Sequence, residues 1–282
     1  MKASILLATV CALALALGAA SAEAQVAQTQ ADQTQATPAQ TVQPQTAQSQ
    51  TAQSQAVANP NNTSPYGQAM GDNQVSAHLL VEQLEARLGN GGADLRWETQ
   101  GWVGTDEWKL WVRDEGERLS EGRVEDGQLE AFIAKPISTY WNVLVGGRYD
   151  LDSGPGRGWA AVGIEGLAPR FFNVSATAYA GPQGLAGKIE VYYDQLITNR
   201  LILEPQAEFD LYSQNDPARK VGAGLSDIDA GIRLRYEITR KIAPYIGVAW
   251  QPVFGRTADY AHAAGEDTGP AVRFAIGITS WF

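Results

Sequence analysis

Sulfur and imidazole are scarce in this chain. Its 282 residues contain one cysteine, two methionines and two histidines. Cys11 lies in a leader that is expected to be removed, so the mature chain is expected to have no thiol, disulfide or Cys-ligated metal. Positive charge is also short, with 21 Lys and Arg against 31 Asp and Glu and a formal net charge of −10. That balance argues against nucleic acid as a partner. Beyond the leader no apolar run reaches the roughly 18 residues that a membrane-spanning helix needs. Enzyme signatures are missing as well: there is no G-x-S-x-G elbow, no H-E-x-x-H and no phosphate-binding P-loop.

What is present divides the chain into three parts. Lys2 and an apolar run from Ile5 to Leu17 are followed by small residues and Ala22-Glu23-Ala24. Residues 1–24 therefore read as a secretory signal peptide, too short in its apolar core to span a bilayer. Residues 25–74 are Gln-, Thr- and Ala-rich, repeat TAQSQ at 46–50 and 51–55, and carry only Asp32 and Asp72 as charges. With almost nothing to bury, they are expected to be a disordered tail.

From residue 75 the composition turns to Trp, Tyr, Gly and charge, and alternation with period two takes over. Leu201, Leu203, Ala207, Phe209 and Leu211 share one face, opposite Glu204, Gln206, Glu208, Asp210 and Tyr212. Ile228, Ala230, Ile232 and Leu234 likewise oppose Asp227, Asp229, Arg233 and Arg235. Similar segments run through 107–118, 171–180 and 185–194. One apolar and one charged face on strand after strand is the dyad of a membrane barrel, with lipid outside and a polar lumen inside. Short turns are expected near 135–136, 168–170, 198–199 and 240–241, and longer loops near 151–157, 181–184, 213–224 and 255–269. The chain ends on alternating apolar residues and Trp281-Phe282, which resembles the signal read by the outer-membrane assembly machinery.

Eleven strands can be marked between Leu95 and the C terminus. A last strand descending to the periplasm requires one more ascending strand, because the tail starts on that side. Val75–Leu88 fills that place, although Leu80, Leu84 and Leu88 would also suit a helix. The expected fold is an all-β, antiparallel transmembrane barrel of about 12 strands over 75–282. It is expected in the outer membrane of a Gram-negative bacterium, among outer-membrane lipid, with its tail in the periplasm. Glu190, Asp194, Glu204, Glu208, Asp210, Asp227, Asp229, Arg233 and Arg235 are expected to face the lumen. They read either as a salt-bridge plug or as a cation path, and the plug is favoured because buried charges must pair. Trp102, Trp141 and Trp281 fit girdle positions at the membrane interfaces.

Ordered stretches over 66–282 resemble the copper resistance protein B family. They include His78-Leu-Leu-Val-Glu-Gln-Leu-Glu85, Leu95-Arg-Trp-Glu-Thr-Gln-Gly-Trp102, Gly163-Ile-Glu-Gly-Leu-Ala-Pro169, Gly231-Ile-Arg-Leu-Arg-Tyr-Glu237 and Ala243-Pro-Tyr-Ile-Gly-Val248. The resemblance implies an outer-membrane protein of copper homeostasis and resistance that binds copper or works with its efflux, with a periplasmic multicopper oxidase as partner. It also implies a Met- and His-rich tail, which this chain lacks. For a copper ion the remaining soft or imidazole donors are Met70, His78 and His262. Met70 and His78 would sit together at the periplasmic rim, and His262 in an outer loop beside Asp259, Tyr260, Glu266 and Asp267. A general structural or pore-forming barrel is the alternative. An outer-membrane lipase or esterase is a third reading, weakened by the lack of a Ser-His arrangement.

Overall fold

From residue 75 every second side chain demands a different solvent, and a closed sheet satisfies both demands at once. A computed structural model describes residues 75–89, 92–151, 156–265 and 272–282. Thirteen strand elements make the wall: β1 (Ser76–Gly89), β2 (Gly92–Gly104), β3 (Lys109–Arg118), β4 (Val124–Ser138), β5 (Trp141–Asp150), β6 (Arg157–Ala168), β7 (Phe172–Gly181), β8 (Gly184–Tyr193), β9 (Gln195–Leu196), β10 (Leu201–Tyr212), β11 (Gly224–Tyr236), β12 (Ile242–Trp250) and β13 (Val272–Trp281). β8 and the two-residue β9 both lie along β10 and are parted only at Asp194, so the wall has twelve staves. All pairings are antiparallel between neighbours in the chain, and β1 pairs with β13 to close the ring. Two further backbone bonds lock the seam: Leu79 N–H donates to Phe282 O at 3.0 Å, and Phe282 N–H to Leu79 O at 2.8 Å. The expected twelve-strand barrel is the observed one, including the first strand that parity required.

The outer face carries Ile133, Val145, Val162, Ile189, Ile232, Ile246, Phe274 and Ile276, all exposed. Exposure of so many large apolar side chains in one band fits lipid, not water. Asp114 breaks the rule: between inward Arg113 and Glu115, it sits in the outward phase. Trp97 on the neighbouring stave covers it, with the indole Nε1–H donating to its Oδ2 at 3.1 Å. Gly116 makes room for that ring, since a Cβ there would lie 2.5 Å from the Trp97 benzo edge.

Several local expectations are corrected. β4 runs through Lys135 and Pro136 to Ser138, so the short turn is at Thr139–Tyr140. The longer loop expected at 181–184 is a two-residue turn, Pro182-Gln183, between paired Gly181 and Gly184. Gly184 has φ +101, a value that glycine reaches without strain. The last strand before the final loop stops at Trp250, and the loop then folds into helix α1 (Gly255–Ala263). Trp102 does not belong to an outer girdle. It lies in phase with inward Gln100 and packs against the internal aromatic cluster.

Candidate functional site

The lumen is filled from two sides with different chemistry. One wall, built by β3 to β7, carries a buried apolar cluster of Trp111, Phe132, Ala134, Leu144, Trp159, Ala161 and Tyr179. Tyr179 O–H donates to Glu130, and the Trp159 indole N–H donates to Asp150 Oδ2 at 2.9 Å, so the aromatic polar ends are satisfied. The facing wall is ionic. Arg87 is fully buried and bridges Glu85 and Asp229, each at 2.7 Å. Arg233 reaches Glu85 at 3.0 Å and donates to Gln83 at 2.8 Å. Arg96 joins Asp229 at 3.2 Å to Glu208 at 3.4 Å. Lys188 continues the chain from Glu208, at 2.9 Å, to Glu115.

The structure brings together most of the lumen charges that the sequence marked. Glu208, Asp229 and Arg233 lie inside this network, and Arg235 ties Glu204 to Asp194 near the end where β10 begins. Asp210 pairs in register with Lys188 on β8 and with Asp227 on β11, nearer the outer end. Glu190 accepts from Gln206 at 3.0 Å. The partners that sequence reasoning missed come from β1 and β2: Glu82, Glu85, Arg87, Arg96 and Glu98. For Glu85 and Arg87 the signal was the alternation of Gln83, Glu85 and Arg87 with Leu84, Ala86 and Leu88, which the helix-like leucine spacing masked. Glu82 could not be found by alternation. A β-bulge between Val81 and Gln83 puts it on the same side as Gln83, and Gln100 holds it there through a 3.0 Å bond.

Beside the network is a cavity of about 140 Å³. Glu82, Glu98, Glu165 and Glu190 line it with Arg113, Gln100, Asn173, Ser175 and Tyr192. Arg113 is committed to Glu165 and stands 3.8 Å from Glu130.

The histidines are not brought together. His78, the third residue of β1, lies next to Leu79 and its backbone partner Phe282, half-buried, with its ring 6.1 Å from that of Trp102. Lys109 Nζ stands 4.3 Å above the same indole, and Trp111 lies 6.5 Å beyond. His262 is exposed in α1, which connects the Trp250 and Val272 ends of their strands at the opposite rim. Met70, Glu266 and Asp267 lie outside the described residues, as do the leader and tail assigned to 1–74. Around His78 the described residues supply one imidazole, an indole and an ammonium, so they do not make a copper site by themselves. Among the described residues no group of three or more His, Asp or Glu is placed to hold a metal ion.

A family model described as copper resistance protein B precursor (CopB) matches residues 75–282, the whole of the barrel. The chain belongs to the copper resistance protein B family. A copper resistance protein B homolog from Pseudomonas syringae pv. tomato is 41% identical over 221 residues, 78% of this chain and 74% of that one. Copper resistance protein B from Escherichia coli is 38% identical over 217 residues, 77% and 73% of the two chains. Among solved structures, the NanC porin aligns over 70% of this chain and 98% of its own, with 17% identity and a TM-score of 0.49. The KdgM porin aligns over 73% and 99%, with 11% identity and a TM-score of 0.43.

Proposed function

We propose that this member of the copper resistance protein B family acts in copper resistance as an outer-membrane barrel without catalytic activity, its tail in the periplasm. The observation that carries the reading is the family match over the full barrel, with two relatives named for copper resistance. Copper is handled at the periplasmic mouth, where His78 lies near the start of the first strand, eight residues after Met70 in the sequence. A thioether and an imidazole together suit Cu(I), and imidazole alone tolerates either oxidation state. A periplasmic multicopper oxidase is the partner that fits a cargo released at that rim. His262 lies on α1 at the opposite rim and is assigned no part in this step.

The ion-paired lumen favours a second reading, a structural barrel whose copper role has lapsed with the Met- and His-poor tail. A deletion strain separates the two. Loss of the gene is expected to make cells copper-sensitive, and the full chain to restore tolerance. The Met70→Ala, His78→Ala double variant, present at the same level in the outer membrane, is expected to fail. A deletion strain as tolerant as its parent would establish the second reading instead.

A further inference from the structure

Most buried carboxylates in this lumen make an ion pair, and three that line the cavity beside the network do not. Glu98 is 9% exposed, lines the cavity, and its Oε2 has no hydrogen-bond partner. Glu82 and Glu190 line the same cavity, and neither makes an ion pair: each accepts a single amide N–H, from Gln100 and Gln206. The nearest cations are spoken for, Arg113 by Glu165, Lys188 by Glu115 and Glu208, and Arg96 by Glu208 and Asp229. A buried carboxylate without a cation is costly, and one that lines a cavity beside two further carboxylates marks a place for something bound.

We propose that Glu98, with Glu82 and Glu190, holds one divalent cation in this cavity. Among the described residues no three such groups converge on a bare ion, so the cation keeps part of its water shell. The volume allows this: about 140 Å³ accommodates a few waters at roughly 30 Å³ each. An all-oxygen, carboxylate-rich site with retained water selects hard ions of the Mg²⁺, Ca²⁺ and Mn²⁺ class over the soft Cu(I). The site is separate from the copper-handling mouth. Its ligands come from β1, β2 and β8, and the bulge at Glu82 is what adds a third carboxylate to the pair.

The full chain, refolded in detergent, tests this by titration with Mn²⁺ followed by electron paramagnetic resonance, with Ca²⁺ as competitor. One Mn²⁺ per chain is expected, displaced by Ca²⁺. Glu98→Gln is expected to weaken it at least tenfold, whereas His78→Ala leaves it unchanged. Glu190→Gln serves as a second variant should Glu98→Gln not give the heat-shifted band of a folded barrel. Unchanged Mn²⁺ binding in the folded variants would overturn the proposal. So would a wild-type barrel that takes up no Mn²⁺, including one showing an infrared carboxylic-acid band at neutral pH that Glu98→Gln removes, because a proton would then fill the place of the cation.

Discussion

Arg87 shows what one side chain does in a lumen that water barely enters. It is fully buried and meets Glu85 and Asp229 at 2.7 Å each, with Glu117 at 3.5 Å. Such pairs contribute little net stability against an apolar filling, but removing Arg87 takes one of two cations from each of Glu85 and Asp229, which keep Arg233 and Arg96, inside a buried network. Arg87→Met is therefore expected to destabilise the barrel by about 3–5 kcal/mol, read as a lowered denaturant midpoint in detergent micelles. An unchanged midpoint would mean that water reaches these carboxylates and screens them. The same reasoning explains why the sequence showed half the network. Glu208, Asp229 and Arg233 stand out by alternation on strands without helix-like spacing. Their partners Glu85 and Arg87 lie on a strand whose leucines at 80, 84 and 88 also fit a helical stripe.

At the scale of the element, β1 and β13 carry the closure. Strand β1 was placed by parity alone, and its pairing with both β2 and β13 is what makes the sheet a ring. The terminal residue takes part through its backbone, exchanging two bonds with Leu79. Deleting Phe282 removes that pair and the aromatic end of the last strand. The expected outcome is a sharp fall in the heat-modifiable folded band recovered from outer membranes, and a normal yield would show that the seam closes without it. The inward turn of Trp102 is also an element-scale result. Composition made it a girdle residue, whereas the phase of β2, set by Arg96, Glu98 and Gln100, points it into the mouth beside His78.

For the whole molecule the question is whether a ring of twelve staves is a pore. A barrel this narrow can be filled by side chains, and here an aromatic wall meets an ionic one across the lumen. Wild-type protein in a planar bilayer is expected to show no conductance steps above leak. Replacing Arg233, which spans Glu85, Gln83 and Gln206, by Ala is expected to introduce them. Open-pore conductance in the wild type would overturn the plugged lumen and favour the general pore-forming reading.

The sequence by itself determined the barrel class, the number of staves and which face of most strands meets lipid, because those follow from a period of two and from the parity of an antiparallel ring whose first and last strands pair. It also carried the family, through ordered stretches along the barrel. Tertiary structure alone decided which charges meet, that Glu82 turns inward at a bulge, and that Glu98 is left unpartnered. Those facts depend on register across strands far apart in the chain, where a shift of one residue exchanges lumen for lipid, and no local pattern records it.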